Sequence, residues 1–247
     1  MDDNSWSTIK WVSNHNLGSN YWSVGATKKI VMNGKVSDGL TLTNFETYVY
    51  ILGFNHNETL EGSGIVFGGF KTAQTGGTDI CLVDDGYPKN YTSGTWFNMN
   101  NTFTNTGGWE ASLMRKNIMP LIKDAFPADL QAVIKPSIIF TTQGAGDGAC
   151  TATTDDVFLL AEYEIFGTHK WASTQESTYL KQYAYYSAGN SKVKYKHNAT
   201  SSAANWWERS SRSDSVNPTS FCLVFSGGTS SYISANLSNG VSPCFKV

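Results

Sequence analysis

Two aromatic clusters near the C-terminal end bracket a segment of unusual composition, and this arrangement most restricts how the chain can fold. The first cluster is Trp206-Trp207-Glu208-Arg209-Ser210, and the second is Gly240-Val241-Ser242-Pro243-Cys244-Phe245. From Ser210 to Ser242, 33 residues contain no Lys, Glu, Gln, Met or Trp, although these five types make up 41 of the 247 residues. At that rate about five or six would be expected in the segment. The five missing amino acids share one property: no codon ending in a pyrimidine encodes them. A stretch generated by changing only the first two bases of Asn codons could not contain them. Inside the segment, Phe221-Cys222-Leu223-Val224-Phe225 reads as a strand whose side chains alternate between two faces.

The rest of the chain reads as strands mixed with short helices. Trp6, Ile9 and Val12 fall on one side of a short helix capped by Asn4 or Ser5. Residues 28–36 predict a strand, an Asn33-Gly34 turn and a hairpin. Residues 48–54 form a strong strand pattern, and 64–70 and 78–83 continue the β region across the Gly76-Gly77 turn. A helix is expected to start at Gly107-Gly108-Trp109 and to be interrupted at Pro120. Another begins at Pro127 and runs to Ile134. Residues 136–142 read as a strand, and 155–164 as a buried strand running into an acidic turn. Ser173-Thr174-Gln175-Glu176 has the form of a capping box for a helix reaching about Tyr186. With no internal repeat and no linker, residues 21–247 are expected to form one domain after a lead over residues 1–20 that carries the short helix.

Three landmarks stand in a recognisable order: GGWxxSxxR over Gly107–Arg115, the DDVFLL strand over Asp155–Leu160, and WWxRS with FCxV and GVxPxF at the C-terminal end. Over residues 21–247 the chain resembles a family of uncharacterised C-terminal domains of gut bacteriophage and Firmicute surface proteins. Glu208 departs from the pattern, since many members carry Leu there. The resemblance implies an α+β fold of the C-type-lectin-like kind, similar to that of formylglycine-generating enzymes, with mixed and antiparallel sheets, a few helices and many loops. Some members resemble the variable proteins of diversity-generating retroelements, whose mutagenesis replaces template adenines. In those proteins the positions between the fixed residues read as Asn or its one- and two-base neighbours. Here they read Arg212, Ser213, Asp214, Ser215, Asn217, Thr219, Leu223, Phe225, Thr229, Tyr232, Ile233, Ser234 and Leu237. Each is reached from an Asn codon through its first two bases.

The resemblance therefore implies a receptor-binding protein of a phage tail or bacterial surface, with no catalytic role and a variable face within residues 210–242. Its partner would be a protein or glycan receptor on a host cell, and the chain would form a homo-oligomer, a trimer by the same resemblance. Trp206, Trp207, Cys222, Val224, Pro243 and Phe245 would hold the scaffold. Cys222 and Val224 should then face the core, and Leu223 and Phe225 should face outward. With Tyr232, Ile233 and Leu237 they would form one apolar patch rimmed by Arg212, Asp214, Asn217 and Thr229, the anatomy of a binding site. Two other readings stand beside this one. One is a structural tail module whose terminal stretch packs on a neighbouring subunit. The other is a formylglycine-generating-type enzyme, whose closely spaced cysteine pair finds no match in Cys222 and Cys244, 22 positions apart.

Composition limits the alternatives. Charged residues are 15% of the chain and the net charge is -2. This gives no electrostatic case for nucleic acid or an anionic membrane as partner. No apolar run approaches the ~18 residues of a membrane span, and the N-terminal residues lack the pattern of a signal peptide. The cysteines at 81, 150, 222 and 244 have no metal spacing and read best as free thiols that are mostly buried. No cofactor or metal site is expected. Asp84/Asp85, Asp155/Asp156 and Glu162/Glu164 read as strand-end and cap carboxylates. Arg209 fits a buried bidentate pair with Asp156 or Glu162 better than an anion site, and Arg115 is read the same way. Trp109, Trp206 and Trp207 read as core.

Overall fold

The closing aromatic cluster forms a strand inside the largest sheet. The computed structural model describes residues 1–213 and 218–247 and shows an α+β protein with three sheets. The strands are β1 (Thr27–Ser37), β2 (Leu40–Phe54), β3 (Ile65–Lys71), β4 (Asp79–Cys81), β5 (Ser137–Gly144), β6 (Asp147–Asp155) and β7 (Val157–Phe158). They continue with β8 (Lys194–Lys196), β9 (Ala199–Ala204), β10 (Trp206–Ser211), β11 (Ser220–Val224), β12 (Ser230–Ser234) and β13 (Cys244–Lys246). Eight of them form one sheet. Its main path runs β1-β2-β3-β4-β8-β9, and β13 joins β3 to β7. Strand β3 is paired with β2 along one edge, and shares the other between β13 at Val66–Gly68 and β4 at Phe70–Lys71. Strands β5 and β6 make a separate hairpin, and β10-β11-β12 a three-stranded antiparallel sheet.

Phe245 on β13 shows why the terminal cluster anchors the fold. Its ring stacks on Phe67 of β3 at 5.4 Å and meets Phe126 at 5.3 Å and Trp6 at 6.1 Å, both edge-on. Trp6 comes from the helix Trp6–Asn14, which begins where Ser5 accepts a hydrogen bond from the Thr8 amide. Trp109, Trp206 and Trp207 are all buried, and each indole N–H finds an acceptor: Asp155, the Lys192 carbonyl and the Phe97 carbonyl. Such a donor is costly to bury unpaired, so these bonds fix each ring's orientation.

Several local expectations change in the fold. The Asn33-Gly34 pair does not turn the chain. Strand β1 runs through it, and the hairpin closes at Asp38-Gly39. The pair instead forms a bulge between Met32 and Gly34, with Gly34 at φ +131 and the Asn33 side chain accepting from the Asn44 amide at 2.7 Å. Pro120 does not stop its helix. A π turn over Met114–Ile118 leads into the helix Met119–Ala125, with Pro120 in its first turn, where the missing N–H is least costly. Only Ala128–Gln131 of the next expected helix is helical. At Ser173 the cap forms, but Glu176 turns inward to Ser210 and Thr142 instead of back to the cap. A short 3-10 turn over Thr174–Thr178 results, and helix returns only at Ala184–Ser187. The acidic turn after β7 is helical over Glu162–Phe166.

Candidate functional site

The substitutable positions belong to the three-stranded sheet and its loops. Strand β11 lies in the middle, with β10 on one side and β12 on the other. Directly paired residues of an antiparallel ladder share a face. One face therefore carries Val224 with Trp206 and Ser230, Cys222 with Tyr232, and Ser220 with Ser234. The opposite face carries Leu223 with Trp207 and Ser231, and Phe221 with Ile233. Strand β10 bulges between Trp207 and Ser211, where four steps on β10 oppose two on β11.

Both faces of β11 are covered, so all five of its residues are buried. Cys222 and Val224 lie inside as expected. Leu223, expected outward, is only 1% exposed, on the sheet face it shares with its ladder partner Trp207. Alternation here separates two buried faces rather than core from solvent. Phe225 escapes because it lies past the strand end. It opens the tight turn to Thr229, where its amide bonds to the Thr229 carbonyl at 2.8 Å, and its side chain is 50% exposed. Arg212, Ser213, Thr219, Thr229, Tyr232, Ile233, Ser234 and Leu237 also keep exposed surface. Asp214, Ser215 and Asn217 lie outside the described residues. The single apolar patch is not formed, since Tyr232 and Ile233 project from opposite faces of β12.

Around Tyr232 a distinct cluster assembles. The Arg212 guanidinium lies 3.7 Å from the Tyr232 ring centroid. Trp171 meets the same ring edge-on at 4.6 Å, and the Lys170 ammonium lies over the Trp171 ring at 5.3 Å. The loop that carries Trp171 is tied to the terminal stretch. Ala172 bridges Arg212, the Ser213 amide and hydroxyl both donate to the Trp171 carbonyl at 3.0 Å, and the Trp171 indole N–H donates to the Ser230 carbonyl. Glu162 holds this loop in place. Its buried carboxylate accepts the amides of Lys170 at 3.1 Å, Trp171 at 3.0 Å and Ala172 at 2.8 Å, and the Ser230 hydroxyl as well.

The buried arginine pair exists with a different partner from those expected. Arg209 grips Glu164 through both terminal nitrogens, at 2.6 and 2.7 Å, and gives a further bond to the Leu159 carbonyl. Burial disfavours the guanidinium charge, but Glu164 more than compensates and holds it firmly protonated. Asp156 pairs with Lys123 instead, at 2.6 Å, and Glu162 serves the loop. The cause is the helical turn at Glu162–Phe166, which a strand reading could not anticipate: it separates the roles of two carboxylates that are two residues apart. Arg115 pairs with Asp155 at 2.6 Å, and Asp155 also accepts from Trp109 and Thr153.

These residues fall in the region shared with other proteins. The chain belongs to a family described as a domain of unknown function, DUF6273. The match covers residues 88–247 and so includes all three sequence landmarks and the whole β10-β11-β12 sheet. No curated protein and no solved structure matches the chain.

One cluster has metal-ligand composition: His56, Glu61 and Glu164, whose ligating atoms lie within 4.8 Å of one another. His56 and Glu61 lie outside the DUF6273 match. The donors are already engaged. His56 Nε2 faces the Lys181 carbonyl at 2.8 Å, which can only accept, and Nδ1 faces Glu61 at 2.9 Å. Burial lowers the affinity of His56 for a proton, but the bond and charge of Glu61, together with Glu164 and the Lys181 carbonyl, outweigh it and raise its pKa. An imidazolium donating from both nitrogens is no ligand, and Glu164 is held by Arg209. The geometry fits a buried charge network and not a metal.

Cys81, Cys222 and Cys244 are free thiols and all three are buried. Burial pushes the Cys81 and Cys244 thiols up to about 12 and Cys222 well above its usual value, so none is poised as a nucleophile. Glu208 is the anomaly of β10. It is fully buried, and among the described residues neither carboxyl oxygen has a hydrogen-bond partner. Burial, and then the neighbouring Glu162 and Glu176, raise its pKa well above the carboxylate range.

Proposed function

We propose that this DUF6273 protein is a non-catalytic recognition module, a C-type-lectin-like variable protein of a phage tail or bacterial surface. Its partner is a protein or glycan receptor, bound through the β12 edge and the loops beside it. One observation carries the reading. Nine of the ten described substitutable positions retain exposed surface, while the framing residues Trp206, Trp207, Cys222, Val224, Pro243 and Phe245 are buried. A segment that can vary in sequence without disturbing the fold needs this division, because surface substitutions typically change stability by less than about 0.5 kcal/mol whereas core truncations cost several. The exposed positions mix Tyr, Phe, Ser, Thr and Arg, the chemistry of adaptable paratopes.

The test is genetic and direct. The coding locus should hold a second, near-identical copy of the terminal stretch, with adenines where the two copies differ, beside a reverse-transcriptase gene. Sequencing the stretch from a population should show diversity confined to the substitutable codons, 223 included. Variation spread evenly over framing and exposed codons would overturn the reading.

A further inference from the structure

We propose that Trp171, which lies outside the terminal stretch, is a contact residue of the recognition face, and that Glu162 is the positioning residue that sets it there. This rests on the recognition reading above. Trp171 is half-buried and sits against three substitutable positions at once. It meets the Tyr232 ring, and its carbonyl takes both donors of Ser213. Its loop also bridges Arg212 through Ala172. Any ligand lying on Tyr232 and Ser213 therefore has the indole beside it. A large ring ordered in advance loses little entropy on binding, and Trp is among the residues most often found to dominate interface energies.

The order comes from one side chain. Three consecutive amides, of Lys170, Trp171 and Ala172, converge on the Glu162 carboxylate. Bonds to a charged acceptor are roughly twice as strong as neutral ones. The same carboxylate takes the hydroxyl of Ser230, the first residue of the edge strand β12, and the Ser230 carbonyl in turn accepts the Trp171 indole N–H. Loop, indole and edge strand thus close a ring of bonds around Glu162. Rotation of the indole away from Tyr232 would break that ring. A fixed aromatic wall would supply affinity common to every variant, and the neighbouring variable residues would supply specificity.

The experiment uses the full chain displayed on yeast, with codons 212, 213, 219, 225, 229, 232, 233, 234 and 237 randomised and binders selected on immobilised lysozyme as probe. In the selected clones Trp171→Ala should weaken binding at least tenfold, while Trp11→Ala, at an exposed tryptophan of the N-terminal helix, should leave it within twofold. Glu162→Gln should weaken binding to a similar extent. The double variant should be no weaker than the worse single one, because both changes act through the same ring. Hydrogen exchange at the amides of residues 170–172 should rise in Glu162→Gln. If that variant does not fold, Ser230→Ala removes one arm of the ring and should give a smaller loss, again absent on a Trp171→Ala background. Binders that tolerate Trp171→Ala, or losses that add in the double variant, would overturn the inference and leave the recognition reading intact. A library yielding no binders would overturn both.

Discussion

Replacing Glu208 by Leu should stabilise this protein, and the gain should grow with pH. Glu208 is fully buried on β10, and neither of its oxygens has a hydrogen-bond partner among the described residues. Even protonated, an unsatisfied buried polar group costs about 1–3 kcal/mol. Leucine has a comparable shape and no polar atom, and it is the residue expected there from the WWxRS resemblance. Below about pH 4 the carboxyl is protonated in folded and unfolded chains alike, so the gain there is that first figure alone. Above about pH 4.3 the unfolded chain ionises, while the folded chain, whose Glu208 pKa is raised by burial and then by Glu162 and Glu176, keeps its proton. Wild-type stability therefore falls as pH rises, by about 1.4 kcal/mol per unit for this one group, until the folded pKa is reached. The variant lacks this fall. Urea unfolding of both proteins at pH 4, 5, 6 and 7 measures the difference directly. For a chain of this size each kcal/mol moves Tm by about 2–4 °C, so the neutral-pH gain is readily resolved. Glu208→Gln separates the contributions: it removes the pH dependence but leaves a polar group inside, so it should gain less than Leu. A pH-independent difference, or a less stable Glu208→Leu protein, would refute the account of Glu208 as an unpartnered, protonated carboxyl.

Trp207→Ala should cost about 3–5 kcal/mol, the usual price of a large buried aromatic, and calorimetry showing an unchanged Tm would remove Trp207 from the scaffold. Leu223→Ser should destabilise by several kcal/mol while Phe225→Ser changes stability by less than about 0.5, a contrast that chemical denaturation resolves and that the alternation pattern alone does not predict. Arg209→Met leaves Glu164 buried without its partner and should cost about 3–5 kcal/mol in denaturant titrations, with partial recovery in the Arg209→Met/Glu164→Gln double variant. Glu176 is fully buried, and burial raises its carboxyl to about 7; Glu176→Gln should therefore remove a decline in stability between roughly pH 4.5 and 7, on the order of 3 kcal/mol in all.

The sequence is legible where one residue answers to one local rule. Ser5 caps its helix, Phe245 and the paired tryptophans go to the core, and Arg209 and Arg115 take carboxylates, because an amide donor, a large ring and a guanidinium each have few places to go when buried. It is illegible where the outcome depends on what lies across a sheet. Leu223 and Phe225 have the same parity on one strand. Only the covering of both faces of β11, and the turn after Val224, separate a buried residue from an exposed one. The Asn33-Gly34 pair meets the same difficulty: a bulge and a turn ask for the same residues, and the partner strand decides between them. Trp171 carries no signal at all in sequence, since its loop is ordinary in composition. It could be found only through Glu162, which reads as one more strand-end carboxylate until three amides are seen converging on it.

Leu223 sharpens the relation between variability and fold. If position 223 is substituted by the same process as its neighbours, most of the residues a pyrimidine-ending codon can specify there are polar, glycine or proline. Each polar substitution would place an unpaired group against Trp207 inside a strand closed on both faces. The penalties for a buried polar group and for a lost apolar side chain add, and their sum is comparable with the whole stability of an ordinary domain, about 5–15 kcal/mol. Position 223 should therefore vary in the gene pool but survive in folded protein only as Leu, Ile, Val, Phe or a close equivalent. Positions 213, 225 and 229, which face solvent, should keep the full spectrum. Sequencing a randomised library before and after selection for protease resistance would show this as a collapse of diversity at 223 alone among those four. Equal survival of polar residues at 223 and 225 would mean that the second face of β11 opens more easily than its packing suggests.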